Sequence, residues 1–441
     1  MSAQAALAEL VGPGCRVAVG DGIGGPRALS AALSAAAAAA GGVRLVLGWL
    51  PTADPDLDYG AFADVRAVMS GWGLRRAVED GRVRALPVRL STVPALLRGP
   101  LRPDVLVASV VPAADGRGYV FATEVSWMRA AVDAGARVAA VVLRNAPRGC
   151  ESGPPLPGDR LVIVGESDTP PVSLAFTPPS DVHRAIAESV AALVPAGARV
   201  QVGPGAMGLA VLEALREPVR IDTGLLPEGV VGLDRRGLLL GTPVTTYLAG
   251  GPELLAWADG KPLLRRMEYT HDLTRLSTGT PFVAVNTAIE IDEQGQVNVE
   301  GLPGAAVGGI GGHSDYAVAA ACSAAGLSIV ALPSTHRGRP TLVERLSAPV
   351  STVGHDVDVV VTEHGAADLR GLDRSERAAA LRRLWSRASV ALDEHRASGP
   401  PAEASTVVSQ GQARHAEQGR PESRSAPGRP PREPDLRRSA S

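Results

Sequence analysis

A stretch near the start of this chain is written a second time, in altered form, 183 residues later. Residues 10–31 read LVGPGCRVAVGDGIGGPRALSA and residues 193–214 read LVPAGARVQVGPGAMGLAVLEA. Leu10, Val11, Gly14, Arg16, Val17, Val19, Gly20, Gly22, Gly25, Leu29 and Ala31 all recur at that offset. Each copy reads as a short β-branched strand, a glycine-rich turn and an Ala/Leu-rich helix. A second echo, DGRGYV at 115–120 against DEQGQV at 292–297, lies at an offset of 177. An internal duplication into two similar α/β domains explains both, with a boundary near the proline-rich stretch 169–179. The expected organisation is an N-terminal α/β domain over 1–178, a second over 179–396, and a tail over 397–441.

Between the copies, strands alternate with helices. Apolar runs at 43–47, 104–111, 137–143, 160–164, 281–285, 327–332 and 356–362 read as buried strands, and 126–135, 183–194 and 374–389 carry helical periodicity. Such alternation predicts open, largely parallel sheets covered by helices. From about 397 the chain turns to Pro, Ser, Gln and Arg with few large apolar residues, a composition that cannot offset its ordering entropy, so a disordered tail is expected there.

Composition closes off several classes of function. The 441 residues balance 44 basic against 46 acidic groups, for a net charge of −2. No electrostatic footprint for nucleic acid or an anionic membrane results. The three cysteines, Cys15, Cys150 and Cys322, show no metal-ligand spacing and suggest a reducing compartment. No signal-peptide pattern opens the chain and no stretch reads as a membrane span, so a cytoplasmic protein is expected.

Both repeat copies fit G-x-G-x-x-G, at Gly20, Gly22, Gly25 and at Gly203, Gly205, Gly208. Glycine there permits positive φ and close approach of a ligand. A dinucleotide site also needs an acid after the next strand to hold the ribose. The first copy offers none, and Asp222 is a candidate after the second. A tight-turn scaffold without nucleotide is the reading favoured over a nicotinamide-dependent oxidoreductase.

Polar and glycine signals concentrate in 263–365: MEYTHD at 267–272, VAVNTAIEIDEQGQVNVEG at 283–301, GGIGGHSDY at 308–316 and VVVTEHGAADLRG at 359–371. In parallel α/β sheets, ligands meet the carboxyl ends of strands, where such segments fall. Together with SIVALPST, these segments resemble the acetyl-CoA hydrolase/transferase family, which includes 4-hydroxybutyrate and succinyl-CoA:acetate CoA-transferases. The resemblance is strongest over about 240–375.

That resemblance implies a catalytic glutamate in a segment like E-Y-V-N-D-P, eighteen residues before the Asn of I-N-S/T-A. Glu268 precedes Asn286 by eighteen and takes the assignment. It further implies backbone N–H donors around the thioester from Val244, Thr245, Thr246, Tyr247, Leu248 and Ala249, and from Gly365. The implied reaction is acyl-CoA:carboxylate CoA transfer through a glutamyl-CoA thioester, with coenzyme A as substrate, no permanently bound cofactor, and a homodimer. Carboxylate attack splits one hard exchange into easier steps, and aimed N–H groups stabilise each tetrahedral oxyanion. Hydrolysis of acyl-CoA by the same Glu268 is the alternative, and a non-catalytic CoA-binding protein a more distant one.

Departures from the family pattern mark the substrate site. His271 stands where the family often has Asn, Leu273 replaces a Pro, and Gly203-Pro204-Gly205 replaces G-I-G. Ile221-Asp222-Thr223 stands where His-Ser-Glu commonly follows. Gly308, Gly309, Gly311 and Gly312 fit either a loop facing the pantetheine or a tight strand-to-helix turn. Glu363 fits an N-cap better than a site-orienting acid. His313, His355 and His364 fit no zinc pattern. Asn286 is expected to tie down the loop carrying Glu268.

Overall fold

The computed structural model describes residues 2–398 apart from Gly304, and side chains as far as 386 outside 304–306. Met1–Glu394 packs as one compact unit. Among the described residues no helix is long and apolar enough to cross a membrane. The tail expected to be disordered lies outside the described residues, save 397–398, which end the helix Arg374–Ser398.

Two mostly parallel sheets organise the unit. The first is built from β1 (Arg16–Val19), β2 (Arg44–Leu47), β3 (Asp64–Ala67), β4 (Arg84–Ala85), β5 (Val105–Pro112), β6 (Tyr119–Phe121), β7 (Arg137–Leu143) and β8 (Leu161–Ser167), in the order β4-β3-β2-β1-β5-β7-β8. Only β6 runs antiparallel, folding back on β5. The second sheet begins with β9 (Arg199–Val202) and β10 (Arg220–Ile221). Its order is β10, β9, Phe282–Asn286, Leu327–Ala331, Val359–Thr362 and finally the antiparallel Gly365–Asp368. The runs read as buried strands fall in these sheets, because strands covered by helices on both faces are apolar along their length; the exception is 160–164, which lies at the edge strand β8, where Val164 is buried but Ile163 is exposed.

The repeat is legible in the register. Val17 of β1 pairs with Leu45 and Val105, and Val200 of β9, at the same repeat position, pairs with Ile221 and Val283. Each copy therefore sits inside its sheet, between the strand that follows it and a later one. The turn glycines agree as well: Gly22 has φ 90° and Gly205 φ 104°. The stretch 168–180, which contains the expected domain boundary, carries no helix or strand and links β8 to the helix Asp181–Ala191.

The sheets share one hydrophobic cluster, which takes Ala18, Leu106 and Val138 from the first and Val200, Val283 and Ile329 from the second. Tyr247, Leu248 and Ala249, a short strand paired with Leu225–Pro227, belong to it too. Isolated bridges Glu124↔Tyr247, Glu151↔Leu264 and Gly71↔Gly308 stitch the halves together. They enclose a cavity.

Candidate active site

The cavity has a volume of about 300 Å³ and is walled by residues from both halves. Trp49, Met69, Trp72 and Leu90 come from the first. Val202, Gly203 and Pro204 at the end of β9, Thr223–Leu225, Tyr247, His271, Asn286, the glycines of 308–312, His313 and Tyr316 come from the second. The carboxyl ends of parallel strands thus meet a ligand-sized space, as this architecture favours.

Its chemistry is neutral. No Asp, Glu, Lys or Arg is among the lining residues. Burial pushes His271 down to about 3, with the nearby Arg275 adding to the effect, and burial pushes His313 down to about 4. Both rings are uncharged at physiological pH. Burial holds the Tyr316 hydroxyl well above the usual tyrosine range, so it remains a proton donor.

Five buried polar atoms on these walls lack a hydrogen-bond partner: Trp49 Nε1, Gln201 Oε1, His271 Nε2, Asn286 Nδ2 and Tyr316 OH. Leaving such a group unpaired costs about 1–3 kcal/mol, so each marks a place where a small side-chain adjustment or an ordered water completes the bonding. His271 is held by Thr270 Oγ1, 2.9 Å from Nδ1, and its Nε2 is buried beside Gly224 and Gly312. Gly224 makes room for this group, because a Cβ there would lie 2.9 Å from Tyr316 OH and 3.3 Å from His271 Nε2.

Glu268 stands elsewhere. It lies in a single helical turn, Met267–Thr270, and does not line the cavity. Its Oε1 accepts from Arg98 at 2.9 Å and from Arg266 at 2.6 Å, while Oε2 accepts from Arg266 Nε at 3.1 Å. Arg266 is clamped in turn to Asp133 at 2.6 Å. Both carboxylate oxygens face cations, an arrangement that lowers nucleophilicity. Of the two residues whose spacing selected Glu268, Asn286 ends a strand and lines the cavity, and it makes no hydrogen bond to the 267–272 segment.

The backbone donors expected around the thioester are spent on the fold. Thr245 N donates to Leu263 O, Thr246 N and Tyr247 N both donate to Gly224 O, and Leu248 N donates to Thr123 O, all at 3.0–3.1 Å. Ala249 continues the same paired strand. Of Val244, Thr245, Thr246, Tyr247, Leu248 and Ala249, only Tyr247 reaches the cavity. Gly365 opens the hairpin strand Gly365–Asp368, paired with Thr362, and is not on the cavity wall. Side-chain donors without a partner here are Trp49 Nε1, Asn286 Nδ2 and Tyr316 OH. Sequence spacing gave no signal for either Tyr316 or Trp49.

Other readings are corrected by their contacts. Asp222, the ribose candidate, is buried in a two-point ion pair with Arg275 at 2.7 and 2.8 Å. Glu363 caps no helix, since a strand follows it; it accepts from Ser334 N at 2.9 Å and Ser334 Oγ at 2.7 Å. His313 lies 2.7 Å from Thr352 Oγ1 and 3.2 Å from Thr287 O. Among the described residues no His, Cys, Asp or Glu cluster could hold a metal ion. The glycines at 308–312 line the cavity and lead into the helix His313–Ala321. Where the family commonly has His-Ser-Glu, Thr223 reaches the cavity wall, its hydroxyl 3.1 Å from Val202 O.

Comparison with known proteins places the chain. The acetyl-CoA hydrolase/transferase C-terminal domain matches residues 250–385. A 4-hydroxybutyrate coenzyme A transferase of Clostridium kluyveri is 30% identical over 71% of this chain and 77% of its own length. A butyryl-CoA:acetate CoA-transferase of Anaerostipes caccae is 25% identical over 70% of this chain and 74% of its own. The crystal structure of RipA from Yersinia pestis shares the fold at a TM-score of 0.78, covering 90% of this chain and 97% of that one at 24% identity. The chain belongs to the acetyl-CoA hydrolase/transferase family of enzymes.

Proposed function

We propose that this cavity binds an acyl-CoA thioester and that the chain hydrolyses it without forming a bond to a side-chain carboxylate. One observation carries the reading: the cavity wall holds five unpartnered neutral polar atoms and no Asp or Glu. Asn286 Nδ2 and Tyr316 OH donate to the thioester carbonyl as charge develops on its oxygen, the side-chain counterpart of a backbone oxyanion site. His271 Nε2, beside Gly224, orients the attacking water. Water adds to the carbonyl, the C–S bond breaks, and a carboxylic acid and the free thiol of CoA leave.

CoA transfer through Glu268 is the competing reading, favoured by the motif spacing and by the presence of Asn286 on the cavity wall. It requires the Glu268 carboxylate to leave Arg98 and Arg266 and enter the cavity. The two separate in one assay, thiol release from butyryl-CoA with and without added acetate. Hydrolysis predicts release that needs no acceptor acid, and Tyr316→Phe with Asn286→Ala slowing it about 100-fold or more. Acceptor-dependent exchange with ping-pong kinetics and negligible thiol release contradicts it.

A further inference from the structure

We infer that Asp21, which is not on the cavity wall, is a positioning residue for thioester cleavage: one of its carboxylate oxygens locks Trp49 and Tyr247, a wall residue from each half, into a single arrangement. The inference rests on the reading of the cavity as an acyl-CoA site and adds to it a residue that acts only through the walls.

Three donors converge on Asp21 Oδ2: Trp49 N and Trp127 Nε1, each at 3.0 Å, and Tyr247 OH at 2.7 Å. The turn grips the Trp49 peptide from both sides, since Gly22 N also donates to Trp49 O at 2.8 Å. The Trp49 ring then lies edge-on to Tyr247, with centroids 5.5 Å apart and planes at 89°. Gly48 keeps room for the carboxylate, because a Cβ there would overlap Asp21 Oδ2, and its backbone needs no left-handed φ. The turn itself does not require the acid. Pro204, which cannot accept through its side chain, stands at the equivalent position of the second copy.

The bonds continue beyond Tyr247. Its hydroxyl gives its proton to Asp21 and accepts from Ser126 Oγ at 2.6 Å. Ser126 is buried with φ 49°, a left-handed conformation that few non-glycine residues adopt. Its remaining polar groups hold it there: Ser126 N donates to Thr246 Oγ1 at 2.8 Å and Ser126 O accepts from Met267 N at 2.9 Å. Met267 opens the helical turn that leads to His271 on the cavity wall. Backbone strain of this kind persists only where its surroundings over-determine it, and it concentrates where geometry serves function. A buried chain of bonds also acts as a unit, so removing the shared acceptor releases Trp49 and Tyr247 together.

Consumption of butyryl-CoA in the presence of acetate registers hydrolysis and transfer alike, so it tests the inference whichever reaction runs. The intact protein and its variants are compared at a temperature where circular dichroism shows each to be folded. Asp21→Ala is expected to lower kcat/KM about 100-fold, the scale of a small misplacement of site groups. Asp21→Asn, whose amide oxygen still accepts, should stay within about fivefold of wild type. Tyr247→Phe keeps the ring, loses one bond to Asp21 and is expected to cost about tenfold. Because both changes remove that bond, Asp21→Ala with Tyr247→Phe should lose little more than Asp21→Ala alone. Wild-type kcat/KM in folded Asp21→Ala, strictly additive losses, or Asp21→Asn as impaired as Asp21→Ala overturns the inference and leaves the acyl-CoA reading in place. Should Asp21→Ala not fold, Tyr247→Phe decides alone, and an unchanged kcat/KM there overturns it. Butyryl-CoA that the wild type does not consume overturns the acyl-CoA reading and this inference with it.

Discussion

The two glycine turns are copies of one sequence pattern with opposite surroundings. At the first, the space beside the backbone is filled from within the fold. A Cβ on Gly22 would lie 2.6 Å from the carboxyl carbon of Glu124, and Gly24 N donates to Glu124 Oε2 at 3.3 Å. Asp21 is buried there too, accepting from Trp49 N at 3.0 Å, Trp127 Nε1 at 3.0 Å and Tyr247 OH at 2.7 Å. At the second turn, Gly203 and Pro204 face the cavity, and a Cβ on Gly203 would meet nothing within 4 Å. One copy has internalised its own acids and become scaffold. The other leaves Gly203 and Pro204 on the cavity wall.

The largest expected effect breaks this contrast directly. Gly22→Ala combines an overlap with a buried carboxyl and a φ of 90° that an L side chain rarely adopts. It is expected to destabilise the protein by about 2–4 kcal/mol, read as a lowered urea midpoint. Gly205→Ala, at the equivalent repeat position, shares the positive φ (104°) but meets nothing within 4 Å, so it should cost about 1–2 kcal/mol less in the same measurement. Equal losses of stability at the two sites would remove the distinction.

A second prediction sharpens the chemistry of the closed turn. Burial, with the neighbouring Asp21 charge adding to it, pushes Glu124 up to about 8; the Thr123 hydroxyl and Gly24 N–H offset only part of this. Its folded pKa is above the unfolded one, so between about 4.3 and 8 the folded state holds a proton that the unfolded state has released. Stability must therefore fall as pH rises through that window and level off above it. The expected loss between pH 5 and 8.5 is on the order of 2–4 kcal/mol for the wild type. Glu124→Gln should flatten that slope, which thermal melts across the range will show. The open turn, with no carboxylate on the cavity wall, has no comparable term.

The contrast also explains what could be read from the sequence. Strand identity and sheet class were legible because β1 and β9 carry the same apolar alternation at the same repeat positions, and local pattern decides a buried parallel strand. The cavity was not. Trp49, Tyr247 and Tyr316 lie about 200 and about 70 residues apart and meet only through the packing of the two halves. The backbone donors of 245–248 looked available as a motif, but whether an amide is free depends on partners such as Leu263 O and Thr123 O that no local spacing reports. Nor does local spacing report that the Glu268 carboxylate is held in part by Arg98, 170 positions away.

The smallest expected effect concerns that carboxylate. A half-exposed ion pair contributes little, so Glu268→Gln should change stability by under about 1 kcal/mol and leave thioester cleavage within about threefold.

The most direct measurement follows the same residue in the wild type. The protein is incubated with butyryl-CoA, quenched and digested, and the peptide containing Glu268 is weighed by mass spectrometry during turnover. The account predicts an unmodified peptide while free CoA accumulates. A CoA adduct on Glu268 that forms and disappears at the turnover rate would contradict it.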